Sequence, residues 1–230
     1  MTQMALPLRL ADHAVFESYF SAGNETLVAT LAALAEDLGG QGYWIWGASA
    51  TGKTHLLQAA CERAGDQSVY IPLRMLAQGD PGILHGLASR ELICIDDIDT
   101  VAGNSAWEEA LFALCNEVLD AERSLVVSAA MSPRECPIEM PDLQSRLARL
   151  ATFHVQSLSD DERVQAMQLR AKLRGLDLPD ETARYLLSRS RRDMASLYEV
   201  LDKLDNEALR AQRRLTIPFV RDVLQLSGTR

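Results

Sequence analysis

The chain has 230 residues, 47% of them hydrophobic and 24% charged, enough for one sizeable core plus a small appendage. A formal net charge of -9 excludes a general coat for phosphate backbones, so any positive site must be local. The four cysteines, Cys61, Cys94, Cys115 and Cys136, show no C-x-x-C pairing, and three sit in apolar runs, which fits a reduced, cytoplasmic setting. No basic region followed by a long apolar run opens the chain, and no apolar stretch approaches the roughly 18 residues of a membrane span, so neither export nor insertion is expected.

Leu27, Val28, Leu31, Leu34, Ala35 and Leu38 recur at helical spacing, predicting a helix over Glu25 to Leu38 with Asn24 as N-cap and Gly39-Gly40 as the stop. Tyr43 to Trp46 reads as a buried strand, followed by a glycine-containing turn and a helix from Thr54 toward Gly65. Further strands are predicted at Ser68 to Leu73, Glu91 to Asp97, Ser124 to Ala129 and Thr152 to Val155, with a helix over Ser105 to Glu122. Strands alternating with helices imply a parallel sheet. From Ser159 only helices are read: Ser159 and Glu162 form a capping box, and Pro179, Asp193 and Pro218 stand at the starts of three more. Leu176, Leu178, Leu186, Leu187, Leu197, Leu201 and Leu204 face inward in that bundle, and a domain boundary near Gln156 follows.

Gly47-Ala48-Ser49-Ala50-Thr51-Gly52-Lys53-Thr54 fits G-x-x-x-x-G-K-[ST] between a strand and a helix. In that pattern backbone N–H groups wrap phosphates, the lysine meets the β/γ oxygens and the threonine hydroxyl holds Mg²⁺. Leu92 to Asp97 is an apolar strand ending in paired acids; Asp96 suits a metal role through water and Asp97 the polarising of an attacking water, while Asp99 reads as a solvated loop acid. Arg146, in a short helix before the last core strand, is either a guanidinium projected toward a neighbour's γ-phosphate or a surface arginine, with Arg149 its nearest competitor. Gln3, Met4, Leu6 and Leu8 form either a segment that docks in an apolar groove or a frayed end. His55 follows the loop and is counted with it as nucleotide-binding, whereas His13, His85 and His154 stand at no ligand spacing, so no metal beyond the nucleotide's Mg²⁺ is expected. Phe16 is an adenine-side contact or a core anchor.

These features predict an α/β AAA+ P-loop core with a five-stranded parallel sheet flanked by helices, plus a C-terminal helical lid. Along its whole length the chain resembles the Hda family, regulatory inactivators of the replication initiator DnaA, and its core resembles DnaA itself. The resemblance rests on the tail Gln3 to Leu8, the Gly47 to Thr54 loop, Asp96-Asp97, Pro141 to Leu147, Leu158-Ser159-Asp160 and Leu215 to Val220. It implies a clamp-binding tail over 1–10, a nucleotide-binding core over 11–156 and a lid over 157–230. It also implies an adenine nucleotide (ADP or ATP) with Mg²⁺ as cofactors, and as partners DnaA and the DNA polymerase III β sliding clamp. In such a protein Gln3, Met4, Leu6 and Leu8 hold the clamp, and Arg146 acts in trans on ATP held by DnaA, repressing replication initiation. DnaA's DNA-reading domain is not expected after the lid, so no sequence-specific DNA binding is implied.

Two departures stand out. By DnaA's spacing, its acidic sensor falls on Ala130, with Ser128 the nearest polar side chain, and its lid arginine falls on Ala195, with Arg191 and Arg192 about one turn earlier. Weak hydrolysis of the chain's own nucleotide follows from losing both. A finger at a subunit edge can also face a second copy, giving a homodimer. The competing readings are a helicase loader, which needs a helicase-binding extension and a basic channel, and a small-molecule phosphotransferase, which needs an arginine-rich lid.

Overall fold

The computed structural model describes residues 14–191, 193–211 and 214–227, which form two compact units. One reaches Tyr19 and resumes from Gly23 to Gln156; the other takes Phe20–Ala22 and the residues from Ser157 onward. The tail residues Gln3, Met4, Leu6 and Leu8, together with His13 and Arg192, lie outside the described residues.

In the first unit β1 (Gly42–Trp46), β2 (Ser68–Pro72), β3 (Leu92–Asp96), β4 (Ser124–Ala129) and β5 (Ala151–His154) lie parallel in the order β2-β3-β4-β1-β5. Inner strands β3 and β4 are buried along their whole length, which is why both read as unbroken apolar runs. Successive side chains leave the sheet on opposite faces. Leu92 and Cys94 join Leu27 and Leu31 of α1 (Glu25–Glu36) and Leu56 and Leu57 of α2 (Lys53–Ala64). Ile93 and Ile95 join Leu73 of α3 (Leu73–Leu76), Trp107 and Leu111 of α4 (Ser105–Asp120), and Leu143 of α5 (Pro141–Leu147). The sheet thus separates two apolar layers.

The structure departs from sequence expectation at several ends. Helix α1 stops at Glu36, two residues early, where Asp37 turns extended. Asn24 stands at its N-cap position without a side-chain cap bond; its Nδ2 donates to Gln156 O at 3.2 Å and its Oδ1 accepts from Gln156 N–H at 2.8 Å. A long-range contact has outcompeted the local one. Strand β2 ends at Pro72, and Leu73 opens α3 instead of extending the strand.

The second unit holds α6 (Asp160–Leu173), α7 (Asp180–Arg189), α8 (Met194–Ala211) and α9 (Ile217–Ser227). Ser159 Oγ accepts the Glu162 N–H while the Glu162 carboxylate accepts the Ser159 N–H, the reciprocal box that the sequence predicts. Val164, Met167, Leu186, Leu197, Leu201 and Phe219 make its core, with Leu176 packed against it. Among the described residues no helix is long and apolar enough to cross a membrane.

Candidate functional site

The turn between β1 and α2 is fixed by three residues with unusual backbone demands. A Cβ on Gly47 would stand 2.6 Å from Val155 O, and one on Gly52, which has φ +92°, would stand 2.6 Å from Tyr19 Cε2. Ala50 takes a left-handed φ of 62° with no glycine to ease it, a strain of the kind held at functional turns. The Tyr19 hydroxyl donates to Thr51 O at 3.2 Å and braces the loop from outside.

Inside the turn lies Lys53, only 7% exposed, whose Nζ donates to Gly47 O at 2.7 Å and Ala48 O at 2.9 Å. Burial lowers its pKa, opposed by the nearby carboxylates of Asp97 and Asp96. The result is a desolvated ammonium beside backbone N–H groups at the start of a 12-residue helix, an arrangement suited to an anion.

The acids at the end of β3 face this loop. Asp96, 3% exposed, accepts hydrogen bonds at Oδ2 from Thr54 Oγ1 (2.8 Å) and Tyr70 OH (2.7 Å), and at Oδ1 from Ser128 Oγ. Burial and the Asp96 charge push the Tyr70 phenol well above its ordinary pKa, so it stays a donor. Asp97 adopts a left-handed φ of 57°, its N–H donates to Ser128 Oγ at 2.9 Å, and its Oδ2 accepts from Arg74 Nε at 2.8 Å. Asp97 raises the pKa of Arg74 in turn. Asp99, expected as a solvated loop acid, accepts the Ala130 N–H at 3.1 Å and ties the β3 and β4 ends together.

Sequence reading missed Tyr70 and Arg74 altogether and named Ser128 only as the polar side chain nearest a sensor position. The signal available for two of them was a polar side chain within a mainly apolar strand, Tyr70 in β2 and Ser128 in β4. Pairing of Pro72 with Asp96 then brings Arg74, two residues on, beside Asp97. Ser128 is fully buried and bridges Asp96 to the Asp97 backbone. Ser128→Ala is therefore expected to leave the buried Asp96 carboxylate and the half-buried Asp97 N–H each short of a partner and cost about 1–3 kcal/mol, checked by denaturant unfolding.

The other sequence candidates are dispersed. Phe16 is buried in the α1/α2 core with the Arg63 guanidinium 4.9 Å from its ring centre, so its surroundings are those of a core anchor. His55 Nε2 lies 2.9 Å from Val15 O and 3.3 Å from Ser18 Oγ, and its ring meets Tyr19 edge-on, latching the Phe16–Ser18 turn onto α2. Arg146 is bonded to α4 rather than to the loop, through Asn116 and Asp120. In the helical unit Arg191 is exposed and pairs with Asp193 at 3.7 Å.

A parallel sheet in the order β2-β3-β4-β1-β5 that carries a glycine-lysine loop after β1 and acids after β3, with a separate helical unit following, defines the AAA+ P-loop fold. Domain III of the Thermotoga maritima replication initiation protein DnaA superposes with a TM-score of 0.77 at 18% identity, over 94% of this chain and 97% of that one. AMPPCP-bound DnaA from Aquifex aeolicus gives 0.69 at 21% identity over 84% and 65%, and the Thermotoga maritima RuvB Holliday junction branch migration motor 0.64 at 17% over 92% and 73%. Residues 160–224 match the family model described as "Hda, lid domain". The chain thus has an AAA+ fold similar to that of DnaA domain III, and its residues 160–224 are similar to the Hda lid domain.

Proposed function

We propose that this protein holds an adenine nucleotide, is tethered to the sliding clamp by its N-terminal tail, and stimulates hydrolysis of ATP bound to DnaA by donating Arg146, so repressing initiation. The match of residues 160–224 to the Hda lid domain carries this reading, and the loop geometry supports its nucleotide half. Lys53 and the N–H groups of the Gly47 to Thr54 loop would hold the phosphates, a reading supported by the likeness to DnaA from Aquifex aeolicus, which binds AMPPCP. The Thr54 hydroxyl and the Asp96 carboxylate, 2.8 Å apart, are hard oxygen donors that fit Mg²⁺. That ion supplies charge neutralisation at the phosphates when bound.

Weak hydrolysis of the chain's own nucleotide belongs to the same reading. Asp97, the residue with the water-polarising role, has one carboxylate oxygen occupied by Arg74, and Ala130 offers no polar side chain to sense a γ-phosphate. A single-turnover rate matching that of active AAA+ ATPases would overturn this part.

The reading as a whole is tested by turnover of DnaA-bound ATP in the presence of clamp loaded on DNA. The natural chain is expected to convert it to ADP and phosphate, and a chain lacking Met1 to Leu8 to need about 10²-fold more protein for the same rate, because the tether supplies effective concentration rather than chemistry. No effect of the natural chain would end the reading and bring the helicase-loader alternative forward.

A further inference from the structure

Arg146 is the residue on which the proposed function turns, and the structure holds its guanidinium from one side only. We infer that Asn116 is a positioning residue for Arg146, and that α4 as a whole is the platform that presents it; this inference rests on the trans-acting role proposed above.

Three side chains of α4 act on the segment that carries Arg146. Glu108, 2% exposed, accepts the N–H groups of Gly103 (2.7 Å), Glu139 (3.0 Å) and Met140 (2.7 Å). Met140 is the N-cap of α5 and Pro141, its first residue, has no N–H to offer, so a buried carboxylate fixes where α5 begins. Leu143 and Leu147, buried at 0% and 1%, then fix its rotation about its own axis. Arg146 stands to one side of that buried face, and its Nε donates to Asn116 Oδ1 at 2.7 Å.

The choice of atoms matters. Held by Nε, the guanidinium plane is oriented while its terminal nitrogens stay available: Nη1 has only Asp120 at 3.4 Å, and no bond to Nη2 is found among the described residues. What orients the group is an acceptor oxygen at this place, here that of the Asn116 amide. Asp120, whose side chain is 69% exposed, is a screened partner that an incoming phosphate can displace at little cost. A fork aimed in advance loses less rotamer freedom when it meets a transition state than a free arginine would.

The test compares the natural chain with Asn116→Ala, Asn116→Asp, Arg146→Ala and the Asn116→Ala/Arg146→Ala pair in single turnover of DnaA-bound ATP, with the protein concentration varied. Asn116→Ala is expected to lower the maximal rate about tenfold with half-saturation unchanged, and to add nothing once Arg146 is gone. Asn116→Asp keeps an acceptor oxygen in place and is expected to stay within about threefold of the natural rate. Unchanged or faster turnover with Asn116→Ala, while Arg146→Ala is inactive, would show that Asn116 does not position the arginine and would leave the finger reading intact. Equal losses in the alanine and aspartate variants would likewise remove the positioning role. If Arg146→Ala is itself fully active, both readings fall together.

Discussion

Under the proposed function, Arg146→Ala is expected to slow turnover of DnaA-bound ATP by about 10³-fold, the lower end of what a trans arginine contributes at a transferring phosphoryl group. The size follows from where charge develops. As the γ-phosphoryl leaves, negative charge spreads over its equatorial oxygens, and a guanidinium delivered into a water-poor interface is worth far more there than in solvent. Arg146→Lys is expected to recover little, because an ammonium has no Nε–H to give Asn116 and no planar fork. Binding to DnaA should change far less than rate, which separates a finger from a docking contact: single-turnover rates against protein concentration read both. A loss confined to half-saturation, with the maximal rate intact, would make Arg146 a binding residue.

The second large effect is expected at Lys53. Replacement by methionine removes the buried ammonium, and affinity for ADP and ATP should fall on the order of 10²-fold or more, read by calorimetric titration. The fold should survive, since the charge is held against desolvation by only two carbonyl bonds and its removal relieves that cost. The direction of the pKa shift makes the comparison pH-dependent. Lys53 is lowered below 10.5 in the folded protein, so below its folded value the desolvation penalty is present in full. As pH rises through that lowered value toward 10.5 the penalty is relieved, and the nucleotide-free natural chain gains stability relative to Lys53→Met. Nucleotide affinity moves the opposite way over the same window, because only the ammonium attracts phosphate. An unchanged affinity in Lys53→Met would remove the loop as the nucleotide site.

Much of this site is legible in the sequence because its demands are local. Gly47 and Gly52 stand where a Cβ would strike backbone or an aromatic ring, and Lys53 and Thr54 follow at the helix start, so one eight-residue string carries loop shape and chemistry together. Strands β3 and β4 announce themselves by burial on both faces. A local pattern misled where a distant partner competed: Asn24 has the sequence of a cap but bonds Gln156.

The sequence by itself determined the phosphate-loop pattern, the acid pair, the parallel α/β core and the change to an all-helical unit, since period, punctuation and residue chemistry along a few turns of chain suffice for each. Only the tertiary structure decided what those groups touch. Tyr70 meets Asp96 across 26 positions of chain, Arg74 meets Asp97 across 23, Ser128 meets Asp97 across 31 and Asn116 meets Arg146 across 30. The first three pairings follow from which strands lie side by side in the sheet and in what register, and the last from the packing of α5 on α4. Strand order and helix packing are set by the burial of two apolar layers as a whole, a collective choice that no short stretch of residues encodes.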